Sequence, residues 1–339
     1  MPDQDLIPLG RQLSVTAQAV VPALIETAGP KTKKRFVEYF VAEIRNPRTR
    51  AAYFRAVDRF LAWCDASSIG LQSIEPVIVA KYIEDGCPEI RPDRLASHRT
   101  SPTLDDASTK QHLAAIRKMF DYLITGGLLD VNPAASVRGP KLIVEIGKTP
   151  VITDDELRML LNSIDISKVA GLRDRALIYL MFNSFARIGA VVAMDVGDVY
   201  LRGDRYRVRL HEKGGKFLEN WISHKAVGHL NEYMTGTAID GQRGTPLFRT
   251  LDRKRNLTDR RMHPNDALGM IKRRAKKVGL NPETCCHSLR ASGITEYMKN
   301  GGTLEKAQRR AGHRSSRTTN IYNRAPDDED EFECEKVTV

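Results

Sequence analysis

His287-Ser288-Leu289-Arg290, followed by Ala311-Gly312-His313 and then by Thr318-Thr319-Asn320-Ile321-Tyr322, is the stretch on which the reading of this chain turns. The His-x-x-Arg spacing sets both side chains on one helical face, a turn apart. Tyr322 follows His313 by nine residues. Three residues further upstream belong to the same question. Arg187 comes just after an apolar helix expected over Gly171–Phe185, and Lys213 and Lys216 sit in the turn Glu212-Lys213-Gly214-Gly215-Lys216. Taken singly, each has a plain structural explanation. An arginine after a helix is usually a solvated terminus, turn lysines usually aid solubility, and a tyrosine near a C-terminus usually packs.

The surrounding chain is read from its periodicities. Between Thr49 and Trp63, Tyr53, Val57, Phe60 and Leu61 share one face, which predicts an amphipathic helix. Further helices are expected over Leu71–Glu84 and Ser108–Thr125, the latter with Leu113, Ile116, Phe120 and Leu123 as its stripe. Residues 86–107 hold three prolines and few apolar groups and read as a long loop. Gly126-Gly127 ends the last of these helices, and Asn132-Pro133 opens a turn. Thr153 and Glu156 have capping-box spacing and mark a helix start. Arg205–Leu210 alternates polar with apolar, and Phe217–Ile222 is its expected antiparallel partner across the glycine turn. Helices resume from about Asn265. The expected fold class is mainly α with a small antiparallel β-sheet, in two domains. The expected divisions are an N-terminal extension of unassigned role over 1–30, a helical bundle over 31–140, a linker over 141–150, a mostly α second domain over 151–326 and an acidic tail over 327–339.

Charge narrows the partner class. Lysine and arginine number 53 against 42 acids, a formal net charge of +11. The tail from 327 to 339 has seven acids and one base, and its net −6 leaves +17 on residues 1–326. A body this basic suits a polyanion, since each neutralised phosphate releases counterions. Five cysteines spread over 339 residues do not form a disulfide framework. Cys285-Cys286-His287 lacks the spaced pairs of a zinc site, so no metal is assigned. Neither a signal peptide nor an apolar run of bilayer length is evident, which predicts a cytoplasmic protein without membrane contact.

Together, and in this order, the residues resemble the tyrosine recombinase (phage integrase) family over about residues 35–325. His287-x-Leu289-Arg290, Gly312-His313 and Thr318-Thr319-x-x-Tyr322 are similar to that family's H-x-L-R, L-G-H and T-T-x-x-Y signature. Thr49, Tyr53, Phe60, Trp63 and the stretch 122–133 are similar to its N-terminal core-binding domain. The resemblance implies a helical core-binding bundle that clamps DNA, followed by a mixed, mostly α catalytic domain. It also implies cleavage and rejoining of specific double-stranded DNA sites through a 3′-phosphotyrosine, with a homotetramer on DNA and a Holliday junction on the path. Tyr322 is then the nucleophile, Arg187 and Arg290 clamp the nonbridging oxygens, and His287 and His313 add hydrogen bonds. Lys213 is the expected general acid, with Lys216 its rival. No cofactor is expected, because neither ATP nor a metal enters this chemistry.

Basic residues outside the signature read as phosphate contacts that set register. They are Arg48, Arg50, Lys110, Arg117 and Lys118 in the first domain and Arg273, Arg274, Lys276 and Lys277 in the second. The chain also departs from the pattern. Ser184-Phe185-Ala186 replaces the usual approach to Arg187, and Ala190 stands where the family places an acid, with Asp195 or Asp198 as substitutes. That departure sustains an alternative reading, a cleavage-deficient DNA-binding accessory or regulatory protein of the same fold. The DNA site, and the choice among integration, excision and resolution, are not legible.

Overall fold

In a computed structural model the chain forms two compact units divided after Ile143, and the structure describes residues 21–88, 103–141, 149–212 and 216–322. The readings placed on residues 1–20, most of the 86–107 loop, the linker core, Lys213 and the acidic tail lie outside the described residues. So does the side chain of Lys216.

The first unit is helical. α1 (Ala23–Thr27) and α2 (Pro30–Glu38) lead through a π-turn at Tyr39–Glu43 into α3 (Pro47–Ala66). Leu24 and Ile25 of α1 are buried in this unit's core. Asn46 caps α3 by accepting from the Arg48 and Thr49 amides, and Pro47 occupies the first turn, where its missing N–H costs nothing. The helix expected over Leu71–Glu84 divides in two. A 3-10 turn covers Leu71–Ser73, and α4 (Pro76–Glu84) begins at Pro76 because a proline opens a helix and pushes the residue before it out of helical geometry. α5 (Asp106–Thr125) completes the bundle, and its Phe120 meets Phe60 of α3 edge-on at 6.3 Å between ring centres. The core face predicted for α3 is buried at Val57, Phe60 and Leu61, but Tyr53 is only half-buried.

The second unit is built on α7 (Val169–Ser184), preceded by α6 (Asp154–Asn162) with its Thr153–Glu156 capping box formed in both directions. α7 is buried nearly all round, charged residues included. Asp174 accepts from Arg173 and, at 2.8 Å, from Arg274, so the buried carboxylate keeps its ionic partners. After α8 (Ile188–Ala193) comes a three-stranded antiparallel sheet in the order β1 (Val199–Arg202), β2 (Arg205–Glu212), β3 (Lys216–Trp221). Its register pairs Val208 with Asn220 and Glu212 with Lys216. The alternation in β2 sends Val208 and Leu210 into the core. α9 (His224–Gly236) packs on α7, and a hairpin of β4 (Arg249–Leu251) and β5 (Leu257–Arg261) leads into α10 (Pro264–Lys277). α11 (Cys286–Lys299), α12 (Leu304–Ala311) and α13 (Ser316–Asn320) follow. No helix of the described residues is long and apolar enough to cross a membrane.

Candidate active site

Two close approaches position the site. α11 lies against α7 at Gly293, where a Cβ would come within 2.0 Å of the Phe182 carbonyl oxygen, so only glycine lets the helices meet there. α7 itself ends abruptly at Phe185, a non-glycine residue held at φ 58°. That conformation costs on the order of 1–2 kcal/mol and has to be imposed by its surroundings. Three side chains from three elements impose it by binding the last carbonyls of the helix. Arg310 of α12 donates to Asn183 O at 2.8 Å, Asn220 of β3 to Ser184 O at 2.8 Å, and Arg290 of α11 to Phe185 O. Asn220 also donates to Arg310 O at 2.8 Å, closing the frame. The sharp corner delivers Arg187 to the N-cap of α8.

Arg290 is 1% exposed and joins both halves of the signature. Besides Phe185 O it donates to Ala311 O at 2.6 Å and to His313 Nε2 at 2.7 Å. Burial first, then the neighbouring Arg187 charge, lowers its pKa to about 10, which still leaves it charged at neutral pH. α12 ends at Gly312 with φ 63°, and the His313 amide reaches back to Gln308 O at 3.1 Å, the bond pattern of a Schellman end. The His313 ring continues the network, with Nδ1 2.9 Å from Thr319 Oγ1. Both its ring nitrogens are thereby engaged. Burial, then the charges of Arg290 and Arg187, lowers its pKa to about 4.

Tyr322 is 6% exposed and follows α13, with its amide bonded to Thr319 O at 2.9 Å and its carbonyl taking a bond from Thr295 at 3.1 Å. Its ring lies nearly parallel to that of His313, centres 5.9 Å apart. The hydroxyl sits 2.8 Å from His287 Nε2. Although His287 reaches solvent, partial burial and then the Arg290 and Arg187 charges hold its pKa below the ordinary imidazole value. A neutral imidazole at hydrogen-bond distance from a phenol is the arrangement of a base beside its nucleophile.

Four of the residues expected to act together, His287, Arg290, His313 and Tyr322, are linked through these contacts, and Arg187 follows the corner that Arg290 braces. The acid missing at Ala190 has a different address. Ala190 is buried in the apolar core. Asp195 pairs with Arg261 at 2.5 Å, and Asp198 binds His211 at 2.9 Å. The carboxylate on Arg187 is Glu212, at 2.7 Å. No sequence signal marks Glu212, since an acid beside a turn lysine looks like surface charge and its partner is 25 residues away.

The basic residues expected to meet phosphates fall into two groups. Arg48, Lys110, Arg273, Lys276 and Lys277 are exposed, as is Lys118, which pairs with Glu43 at 3.0 Å. Arg50, Arg117 and Arg274 are bonded within the chain. Arg50 donates to Ile44 O at 2.9 Å, Arg117 to Ala134 O at 2.9 Å, and Arg274 to Asp174.

Comparison with known proteins gives the family. Residues 150–329 match the model of the phage integrase family. The chain is 27% identical over 310 residues to tyrosine recombinase XerD of Xanthomonas axonopodis pv. citri, covering 88% of this chain and 94% of the relative. To tyrosine recombinase XerC of Salmonella typhi it is 29% identical over 289 residues, covering 85% and 89%. Among solved structures, XerH site-specific recombinase in a post-cleavage complex with palindromic difH substrate has a TM-score of 0.65 at 17% identity, covering 97% and 94%. A lambda integrase dimer on a COC' core site has a TM-score of 0.62 at 17% identity, covering 87% and 78%. With the family model spanning more than half of its length, this chain belongs to the phage integrase family of tyrosine recombinases.

Proposed function

We propose that this chain is a site-specific DNA recombinase whose Tyr322 breaks and rejoins strands through a 3′-phosphotyrosine. The observation that carries the reading is the Tyr322 hydroxyl at 2.8 Å from His287 Nε2, beside Arg290 and within reach of the network that holds it. The Tyr322 oxygen attacks the scissile phosphorus and gives its proton to His287. The bond from phosphorus to the 5′ oxygen breaks, and that oxygen takes a proton from Lys213, or from Lys216 in the rival assignment. A 5′ hydroxyl of a partner duplex reverses the step, so the bond energy is kept. Arg187 and Arg290 face the charge that develops on the nonbridging oxygens. His313, with both nitrogens engaged, serves by holding Arg290 and Thr319.

In this reading residues 31–140 form the core-binding half of a DNA clamp, 141–150 its linker and 151–326 the catalytic half. Four copies assemble on two duplexes. A lambda integrase tetramer on a Holliday junction, TM-score 0.57 and 16% identical, supports that stoichiometry by fold.

The test works without the DNA site being identified first. Mixed with a pool of nicked duplexes of randomised sequence, the protein should form a detergent-resistant adduct. The adduct should persist in chelator and be absent from Tyr322→Phe. Tight, selective binding without an adduct would instead support the accessory-protein reading.

A further inference from the structure

The acid that holds Arg187 is not on its own helix. α8 offers Ala190, buried at 3% exposure, and the acids that follow are tied elsewhere, Asp195 to Arg261 and Asp198 to His211. Glu212, the last residue of β2, reaches across to Arg187 at 2.7 Å. The pair is unequal. The Glu212 side chain is 13% exposed and that of Arg187 45%. A sheltered carboxylate therefore grips a guanidinium that projects outward. Only Nη1 of Arg187 is bonded to it, so the rest of the fork can meet a phosphate.

Glu212 is not an ordinary surface partner. Its second oxygen, Oε1, is buried with no hydrogen-bond partner among the described residues. Leaving a carboxylate oxygen so costs free energy, and exposed ion pairs return little. What the position does supply is one negative charge against two arginines, since Glu212 acts favourably on Arg290 as well.

We propose that Glu212 is a positioning residue for the strand-cleavage reaction. It holds Arg187 in line for the scissile phosphate and supplies from the sheet the carboxylate that α8 lacks at Ala190. The proposal rests on the Tyr322 reading and deepens it. It also fixes a link between the Arg187 corner and the strand that runs into the lysine turn.

A double-mutant cycle tests it, using a nicked duplex enriched from the randomised pool. Glu212→Gln should slow adduct formation by up to about 100-fold, the order expected when a catalytic group is displaced by an ångström. The dissociation constant for the duplex should change far less. In an Arg187→Lys background the same substitution should add almost nothing, and Glu212→Asp should restore part of the rate. A wild-type rate in Glu212→Gln overturns the proposal, and so does a full additional loss in the Arg187→Lys background. Should the wild-type protein form no adduct, the Tyr322 reading falls, and the pair is judged by guanidinium NMR. Restricted Arg187 rotation that is released in Glu212→Gln supports the pair, and a signal unchanged by the substitution overturns it.

Discussion

Arg290 donates to His313 Nε2 at 2.7 Å, and because a guanidinium can only donate, that nitrogen must be the bare one. The ring proton then sits on Nδ1 and is given to Thr319 Oγ1, so His313 works as a neutral imidazole.

This sets a pH dependence. The folded pKa of His313 is lowered to about 4, and that of His112, buried near Arg59, is also lowered to about 4. In the unfolded chain both titrate near the ordinary imidazole value of about 6.5. Between those values the unfolded state binds protons that the folded state does not, so stability falls as pH falls through that window. The two histidines together should cost a few kcal/mol by about pH 4, after allowance for partial exposure. Thermal melts from about pH 7.5 to about pH 4 should show this loss, and His313→Asn should shallow the slope. Adduct formation should also decline on the acid side as His287 gains a proton and can no longer take one from Tyr322.

In the proposed reaction Arg290 both braces the fold and faces the phosphate, which a lysine cannot do together. Its guanidinium binds Phe185 O, Ala311 O and His313 at once in a site 1% exposed. Arg290→Lys should reduce adduct formation by more than about 100-fold. It should also lower unfolding stability by roughly 2–4 kcal/mol through the unmet carbonyls. Denaturant titration and gel assay on the same preparation measure both.

Gly293→Ala should be costly although the residue carries no chemistry. The added methyl would stand 2.0 Å from the Phe182 carbonyl oxygen, a backbone atom that cannot swing aside. A loss of roughly 1–3 kcal/mol is expected from such overpacking, and a calorimetric melt measures it.

Asn220→Ala removes the donor to both Ser184 O and Arg310 O while leaving β3 intact. The stability loss should be about 1–3 kcal/mol. The adduct rate should fall further than that loss explains, because the Phe185 corner that aims Arg187 slackens. Asn220→Asp, which cannot donate, should fail in the same way.

Local signals carried much of this fold. The Thr153 capping box, the α3 and α5 stripes and the β2 alternation each rest on residues a few positions apart, and the helices and strands appear where those patterns put them. Pro76 overrides the apolar pattern that begins at Leu71 and splits the helix expected there. The β4–β5 hairpin was not legible. Leu257–Arg261 has one apolar residue, and its partner strand is organised around buried Arg249, which binds Gln242, Thr245 and Asp259. At the site, the signature residues are brought together, but what supports them was not legible. Glu212, Asn220 and Arg310 act on residues 25 to 127 positions away, and no spacing rule reveals that.

The bonds around Arg290 have a consequence for the fate of a cut strand. From Phe185 O the path runs through Arg290 to His313, then to Thr319, whose carbonyl holds the amide of Tyr322. In the proposed reaction, the arginine that faces the phosphate and the tyrosine that attacks it are thus joined by one tether. Slack introduced anywhere along it reaches both ends, so a variant poor at resealing should be equally poor at cutting. Damage to this tether should then yield a silent protein rather than one that leaves DNA nicked and protein-capped.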